Sequence, residues 1–398
     1  MCSESTDSII EQLLKWGSEL EQKRNHFLAE QYYDEASLWT LQILKNSNRY
    51  TEIQINRVLA YINAAETPEN GLSASSNYET ALRILRALDR KQRELYFSLE
   101  KENELIQNIK KSGKFSISQM CSTSFSFDMS DEIKYITENI RGKDIETALL
   151  NFISLMGYIS FVKLEKNAID FIKASPLVSF FGHTVFGSDG RIISKTNGIN
   201  NFDELNYKNP SVWNNMVWQY MLQISCVVQS AILPALQIIR CEHNILLTDL
   251  IDIVRKSNLI PIDRIAVFAK GLYAGFSYDF ITSLHLLVPQ IENMVRVQLQ
   301  ESGIRTSIIE NTTDIENEEG LSTLAKKDGF EDIFGKDLGF EIKALFCDGA
   351  GPNLRNNVAH GLLSSTEMSS IYSVYCWWFC FKLVYISFYN SKREVLKI

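Results

Sequence analysis

The sequence predicts a mainly all-α protein with one small β-hairpin. Apolar residues recur at three- and four-residue steps over most of the chain, which is the spacing of amphipathic helices. Hydrophobic residues make up 45% and charged residues 22% of the 398 residues, which is the composition of a compact globular protein. A chain of this length exceeds one ordinary core, so we expect more than one domain.

The first part of the chain reads as helices. One apolar stripe begins at Ile9, and another runs through residues 82–99. The stretch 67–71, which contains Pro and Gly, predicts a long turn between them. The Ser-rich stretch 111–130 predicts an irregular connector or a short strand. We expect residues 1–175 to form an N-terminal helical domain.

The middle of the chain combines a hairpin signal with an uncharged helix. Two β-rich runs flank the turn residues Gly187 to Gly190, so we expect a β-hairpin near 178–195. The stretch 209–239 holds no charged residue, but its several amide side chains and Pro234 would be costly in lipid. We interpret it as a buried helix within a connecting region, residues 176–257.

Residues 258–398 show the clearest helical pattern, typical of a bundle of four to five helices. The stretch 301–329 within it is polar and acidic, and we expect it to be a mobile loop. Asn353 is a predicted N-cap, and Ser364 with Glu367 forms a predicted capping box before the last helix. The expected helices cover about 261–273, 278–300, 334–346, a segment after Asn353, and 371–389.

Charge and cysteine content limit the class of protein. The net charge of -8 argues against nucleic-acid binding by the whole surface, although a small basic site remains compatible. The seven cysteines lack metal or disulfide spacing and no signal peptide is evident, so we expect buried free thiols and a cytoplasmic protein. We interpret the apolar stretch 371–389 as an interior or dimer-facing helix, and a membrane anchor is the alternative.

One short segment carries residues suited to RNA chemistry. Arg355 and Asn356 fall at a predicted helix start, where free N–H groups favour an anion, and an Arg can grip two phosphate oxygens. Asn356 and His360 are four residues apart and share a face. A histidine titrates near neutrality, so His360 could move a proton to or from a ribose oxygen. This set of side chains can cleave RNA without a metal.

The preceding helix offers a second group of polar residues. His285, Glu292 and Arg296 share one face of an otherwise apolar helix, and polar residues there need partners. They form either an intrahelical Glu292–Arg296 pair with a hydrogen-bonded core histidine, or a shell that orients Arg355 or Asn356. The other histidines lack matching ligands, so we expect neither a metal site nor a cofactor.

The segment Arg355–Gly361 matches the RNxxxHG form of the Rx4-6H motif, so residues 258–390 resemble the HEPN superfamily. The stretch 284–296 looks like the helix that accompanies this motif. The resemblance implies a helical bundle that dimerises with its two motifs facing each other. Proteins of this superfamily are often endoribonucleases that leave a 2',3'-cyclic phosphate, so the resemblance implies this activity here. Such proteins often serve phage defence, toxin-antitoxin or RNA-processing systems.

Carried onto this chain, the resemblance assigns roles to individual residues. Arg355 would position the scissile phosphate, His360 would act as acid or base, and Asn356 would hold one of them. The supporting or RNA-contacting residues would be Glu292, Arg296, His285 and Asn357.

The expected protein is therefore a cytoplasmic, homodimeric, metal-independent endoribonuclease without a membrane partner. Its N-terminal region would sense a trigger or restrain the bundle, under an activator or antitoxin. The alternative is a non-catalytic HEPN module for dimerisation and for RNA or protein binding.

Overall fold

The computed structural model describes residues 3–67, 71, 73–121, 126–180, 182–187, 190–196, 198–199, 202, 205–310 and 314–395. The protein is 73% helical, and the described strands form two two-stranded sheets. The predicted mainly all-α class with a small hairpin is confirmed. The chain divides into two compact units, one formed by Met1–Ser124 with Thr184–Lys195 and the other by Phe125–His183 with Thr196–Ile398.

The first unit is a series of packed helices. Helix α1 (Ser3–Gln22) packs on α2 (His26–Trp39), α2 on α3 (Ser47–Glu66), α3 on α4 (Ala74–Ala87) and α4 on α6 (Leu99–Gln119). Helix α6 runs through residues 111–119, so the predicted connector is wrong there. The hydroxyls of Ser112 and Ser118 donate to carbonyls of their own helix, which lets serine fit a helical interior. Residues 122–125 of that stretch lie outside the described part. The short helix α5 (Arg90–Arg93) precedes α6.

The predicted hairpin is present as β1 (His183–Phe186) paired with β2 (Ile192–Thr196). Its first strand is shorter than predicted, because residues 178–180 belong to helix α10 (Pro176–Phe180). Residues 188 and 189 of the predicted turn lie outside the described residues.

The hairpin packs on the N-terminal unit and not in a separate connecting region. Lys195 Nζ donates to Ser76 Oγ at 2.8 Å and lies 3.8 Å from a carboxylate oxygen of Glu79. Gly113 of α6 touches the turn so closely that a Cβ there would fall 2.0 Å from the carbonyl oxygen of Gly190. These contacts join β1 and β2 to α4 and α6.

The predicted boundaries at 175 and 257 do not coincide with the division of the structure. Helices α7 (Ser130–Ile140), α8 (Ile145–Ile153) and α9 (Phe161–Ala174) belong to the second unit. Phe161 at the start of α9 packs edge-on against Phe340, with ring centroids 5.9 Å apart. A proline such as Pro176 ends a helix locally, but it does not reveal which core the flanking helices join.

The C-terminal helices complete the second unit. A π-helical segment, Val228–Ile232, joins α11 (Pro210–Val227) and α12 (Leu233–Glu242) into one 33-residue helix. A kink at Gly335, whose φ is 70°, interrupts α17 (Phe330–Ile342). The remaining helices are α13 (Leu247–Lys256), α14 (Ile265–Phe276), α15 (Phe280–Glu301), α16 (Leu321–Leu324), α18 (Leu354–Ala359), α19 (Ser365–Met368) and α20 (Ile371–Val395).

The aromatic helix α20 lies at the centre of this unit, which confirms the prediction of an interior helix. Trp377 and Trp378 are fully buried, and their indole N–H groups donate to the carbonyls of Leu272 and Phe152 at 2.9 and 3.0 Å. The buried Lys382 donates to the carbonyl of Met156 at 2.6 Å. These bonds satisfy the polar atoms that burial of α20 removes from water.

A buried carboxylate on α17 faces α20. Glu341 accepts hydrogen bonds from the hydroxyls of Tyr220 and Tyr375 at 3.1 and 2.8 Å, and from the N–H of Ile159 at 3.1 Å. Burial raises the pKa of Glu341, although these donors and Lys382 oppose the shift.

Within the part of the chain that the structure describes, two helices are long and apolar enough to span a membrane by length and composition. In Pro210–Glu242, 44% of the apolar stretch is buried inside the protein, and in Ser365–Arg393 the share is 72%. The core helix of a soluble protein gives the same signal when it is mostly buried, as the second helix is.

The described cysteines are all free, and their exposure varies more than the sequence predicted. Cys376 and Cys380 are buried in α20, whereas Cys121 and Cys241 are exposed. Buried thiols are therefore correctly predicted only for part of the set, and Cys2 lies outside the described residues.

Candidate functional site

Arg355 lies in α18, a helix of six residues. Asn353 occupies the predicted N-cap position, but its backbone is left-handed, with φ 47°, and its side chain makes no capping hydrogen bond. Its Oδ1 is buried and has no hydrogen-bond partner among the described atoms. So short a helix aligns few peptide dipoles. The positive charge at this site therefore comes from the Arg355 side chain and not from the helix start.

Arg355 is held by Glu292 of α15. The Nε of Arg355 donates to Glu292 Oε2 at 2.5 Å, and its Nη2 lies 3.5 Å from Oε1. The carboxylate thus occupies the Nε–Nη2 edge of the guanidinium. A second ligand could bind at the edge that includes Nη1. The Arg355 side chain is 30% exposed and that of Glu292 only 14%. Glu292 therefore fixes the orientation of a partly exposed cation.

Glu292 also binds Arg296 and the start of α16. Arg296 Nη2 donates to Glu292 Oε1 at 2.9 Å, and the N–H of Leu321 donates to Oε2 at 3.2 Å. Burial acts to raise the pKa of Glu292, but the hydrogen bonds from Arg355 and Arg296 outweigh it, so the pKa lies below its ordinary value. The carboxylate is ionised at neutral pH. Glu292 thus pairs with Arg296 within its own helix and also holds Arg355.

The acidic stretch expected to be a mobile loop contains a second hairpin. Strand β3 (Ser307–Ile309) pairs antiparallel with β4 (Glu316–Glu318), in the register Ser307 to Glu318, Ile308 to Asn317 and Ile309 to Glu316. Residues 311–313 of this stretch lie outside the described part of the chain.

The segment after β4 closes on both arginines. Arg296 Nη2 donates to the carbonyl of Glu319 at 2.8 Å, and its Nε lies 2.9 Å from a carboxylate oxygen of Glu318. Glu319 in turn forms an ion pair with Lys327. Gly320 lies against Arg355, since a Cβ there would come within 3.3 Å of Nη2. Sequence reasoning missed these residues, and the only signal was a run of acids near a helix that presents Arg296.

The remaining predicted residues occupy different positions. His360 is exposed and forms the C-terminal cap of α18, and its backbone N–H donates to the carbonyl of Asn356 at 3.1 Å. Asn356 and Asn357 are half-buried, and Asn357 Nδ2 donates to the carbonyl of Pro352 at 2.9 Å. His285 is exposed, and its Nδ1 contacts the carbonyl of residue 281 in its own helix at 2.8 Å. Hydrogen bonds thus join Arg355, Glu292 and Arg296. The expected core position of His285 is wrong, because its side chain is exposed and contacts its own helix.

Cys347 lies close to this cluster, at the end of the π-helical segment Lys343–Cys347. Burial raises the pKa of its thiol to about 11, with contributions from Asp348 and Glu292 that Arg355 opposes. A thiol with this pKa is protonated at neutral pH and is a poor nucleophile.

The site combines a cation and an imidazole on one short helix. Arg355 presents a fixed, permanently charged guanidinium, and His360 is an exposed imidazole at the other end of the same short helix. Among the residues that the structure describes, no group of three or more His, Cys, Asp or Glu side chains could hold a metal ion. The fold and the site together define a mainly helical protein with a polar cluster centred on Arg355.

Comparison of the chain with protein-family models, with curated proteins and with solved structures finds no match.

Proposed function

We propose that this protein is an endoribonuclease that cleaves RNA at Arg355 and His360, in the manner the HEPN-like motif implies. The observation that carries the proposal is the Arg355–Glu292 pair. One edge of the guanidinium is fixed by a carboxylate, so the other edge can bind two oxygens of a phosphate with little further loss of side-chain entropy.

The proposed reaction uses the 2'-hydroxyl of the RNA itself. A base removes the 2'-hydroxyl proton, the 2'-oxygen forms a bond to the adjacent phosphorus, and the bond from phosphorus to the 5'-oxygen breaks. An acid returns a proton to the leaving 5'-oxygen, which gives a 2',3'-cyclic phosphate and a 5'-hydroxyl. His360 acts as acid or base, Arg355 stabilises the charge on the phosphoryl oxygens, and Asn356 supports them.

The proposal includes a homodimer formed through the C-terminal helices. In a dimer with facing motifs, each copy brings one arginine and one histidine to a shared groove. One exposed imidazole can then act as base while the other, protonated, acts as acid. The biological setting we propose is phage defence or a toxin-antitoxin pair, in the cytoplasm.

The test is cleavage of total RNA in EDTA by the wild-type protein, Arg355→Ala and His360→Ala. The His285→Ala variant is the matched control, because it removes an exposed histidine of α15 whose ring contacts the carbonyl of residue 281 in its own helix. We expect cleavage by wild type and His285→Ala. The other two should lose at least about 100-fold, the usual effect of removing a general acid or base, or a group that stabilises developing charge. The product ends should be cyclic phosphates. Equal cleavage by all four proteins would contradict the proposal.

A second candidate is a non-catalytic module that binds RNA or protein. The observation that favours it is the ion pair of Arg355 with a mostly buried Glu292, which by itself has the form of a structural contact. On this proposal RNA is bound and not cut, and His360→Ala retains full binding and full biological output.

A further inference from the structure

The hairpin formed by β3 and β4 has two open edges. Each strand pairs with the other, and the described sheet contains no third strand. A two-stranded hairpin is marginally stable by itself, and the unpaired N–H and C=O groups along its outer edges can accept another strand.

The hairpin exposes apolar side chains on both faces. Ile308 is 56% and Ile309 44% exposed, and Ile315 just before β4 is 55% exposed. Successive residues of a strand point to opposite faces, so Ile308 and Ile309 lie on opposite sides of the hairpin. A strand added at an edge would find an isoleucine neighbour on either face.

The charge of the hairpin is net negative, because its five acids outnumber the three bases that pair with them, Arg305, Arg296 and Lys327. From residue 306 to residue 320 the sequence holds no Lys or Arg, and its acids are Glu310, Asp314, Glu316, Glu318 and Glu319. The exposed Arg305 just before it pairs with Glu316 at 3.3 Å. An RNA strand would be repelled by these carboxylates, and so would the same hairpin of a second copy. A basic polypeptide segment would be attracted.

The base of the hairpin is tied to the candidate site. Glu318 and the carbonyl of Glu319 bind Arg296, which shares Glu292 with Arg355. Gly320 then packs against the Arg355 guanidinium. Glu318 is the last residue of β4, and Glu319 and Gly320 follow it directly, so movement of the strand reaches the arginine cluster.

We propose that an edge of the β3–β4 hairpin is a docking surface for an extended, basic segment of a partner polypeptide, which adds as a third strand. Main-chain hydrogen bonds supply the affinity, and lysine or arginine side chains opposite the hairpin acids supply the selectivity. Occupancy of the edge orders the hairpin and thereby changes the freedom of Arg355. This last effect rests on the proposed ribonuclease function, whereas the docking does not.

The test is binding of a fluorescein-labelled, nine-residue peptide of alternating lysine and valine to the full chain, measured by fluorescence anisotropy. One control peptide has glutamate in place of lysine, and another has proline in place of the central valine. Two protein variants complete the set. Ile308→Lys places a charge on the hairpin, and Ile262→Lys places one at a residue that is 90% exposed outside it.

We expect the lysine peptide to bind the wild type and Ile262→Lys equally, at least tenfold more weakly to Ile308→Lys, and to slow amide exchange in β3 and β4. The two control peptides should not bind. Absence of binding, or equal binding to Ile308→Lys, overturns the proposal. Self-association that Ile308→Lys abolishes also overturns it, because a second copy then takes the edge. Thermal melts establish that both variants fold.

The regulatory effect is read separately, as RNA cleavage with and without the peptide. If the peptide binds and RNA is never cut, the proposed function fails and the docking surface stands. If RNA is cut and the peptide does not bind, the reverse holds.

Discussion

Replacing Glu292 by Gln tests whether the carboxylate between the two arginines is a structural requirement. Its oxygens accept from Arg355 at 2.5 and 3.5 Å, from Arg296 at 2.9 Å and from the Leu321 N–H at 3.2 Å. A glutamine keeps one acceptor oxygen and turns an NH2 group toward a guanidinium. At least one charged hydrogen bond is lost, and a donor faces a donor.

The expected loss of stability follows from these bonds. A hydrogen bond to a charged group contributes about 1.5 to 3 kcal/mol, so Glu292→Gln should lower the free energy of unfolding by about 2 kcal/mol at pH 7. For a domain of this size, that is a fall in melting temperature of roughly 4 to 8 °C. The matched control is Glu301→Gln, an exposed glutamate at the end of the same helix. We expect it to change stability by less than about 0.5 kcal/mol.

The effect should depend on pH with a definite sign. The pKa of Glu292 is lowered in the folded protein, because hydrogen bonds from Arg355 and Arg296 outweigh burial. Its stabilisation is therefore fully present above the unfolded-state pKa of about 4.3 and is lost as pH falls through the lower folded-state value. Urea unfolding at pH 7, 4 and 3 should show the difference between wild type and Glu292→Gln shrinking. A constant difference, or one equal to that of Glu301→Gln, refutes the reasoning.

Three further predictions concern the second unit. Burial raises the pKa of Glu341, so the folded protein loses stability as pH rises from about 4.3 through the folded-state pKa. Glu341→Gln lacks this titration. Its stability relative to wild type should therefore increase between pH 5 and pH 8 in thermal melts. Gly275→Ala should destabilise by about 1 to 3 kcal/mol in urea unfolding, since its Cβ would lie 2.1 Å from Trp377 Cδ1. Cys347, whose pKa is about 11, should react with iodoacetamide far more slowly than the exposed Cys241 at pH 8, as mass spectrometry can follow.

The chain provides contrasts for these three. Gly157→Ala is the control for Gly275→Ala, because an added Cβ there meets nothing within 4 Å, and it should be neutral. Equal destabilisation by both would contradict the packing argument. A stability difference between Glu341→Gln and wild type that does not change with pH would show that burial does not disfavour the ionised carboxylate. Rapid alkylation of Cys347 in the folded protein would show that its enclosure opens readily.

The sequence predicts the helices well where one face is apolar over many residues. The helix expected at 278–300 is α15, and the aromatic stretch 371–389 lies within α20. Both were predictable because each apolar pattern is local in the sequence and its side chains are buried. The predicted capping box of Ser364 and Glu367 is also present, although it caps the short α19 before α20 begins at residue 371. Capping hydrogen bonds can be predicted because both partners lie within a few residues of each other in the sequence.

Contacts between distant segments could be predicted only in part. The helical face that carries Glu292 and Arg296 was visible from spacing, but the hairpin at 307–318 was not, because its polar residues lack a strand pattern. Anchors such as the Glu319 carbonyl on Arg296 hold the hairpin, and a backbone acceptor leaves no mark in a sequence. The division of the second unit from the first was hidden for the same reason, since residues 125–175 join a core formed mostly by residues after 209.

The Arg355–Glu292 pair joins side chains 63 positions apart in the sequence, and the Leu321 contact adds a third segment 29 positions from Glu292. Contacts of such separation contribute only after chain entropy has been lost to bring the segments together. The arginine cluster therefore assembles only when α15, the hairpin and α18 have all folded together. A chain emerging from the ribosome carries Arg355 as a loose, freely rotating side chain, and the oriented cation is a property of the finished fold alone.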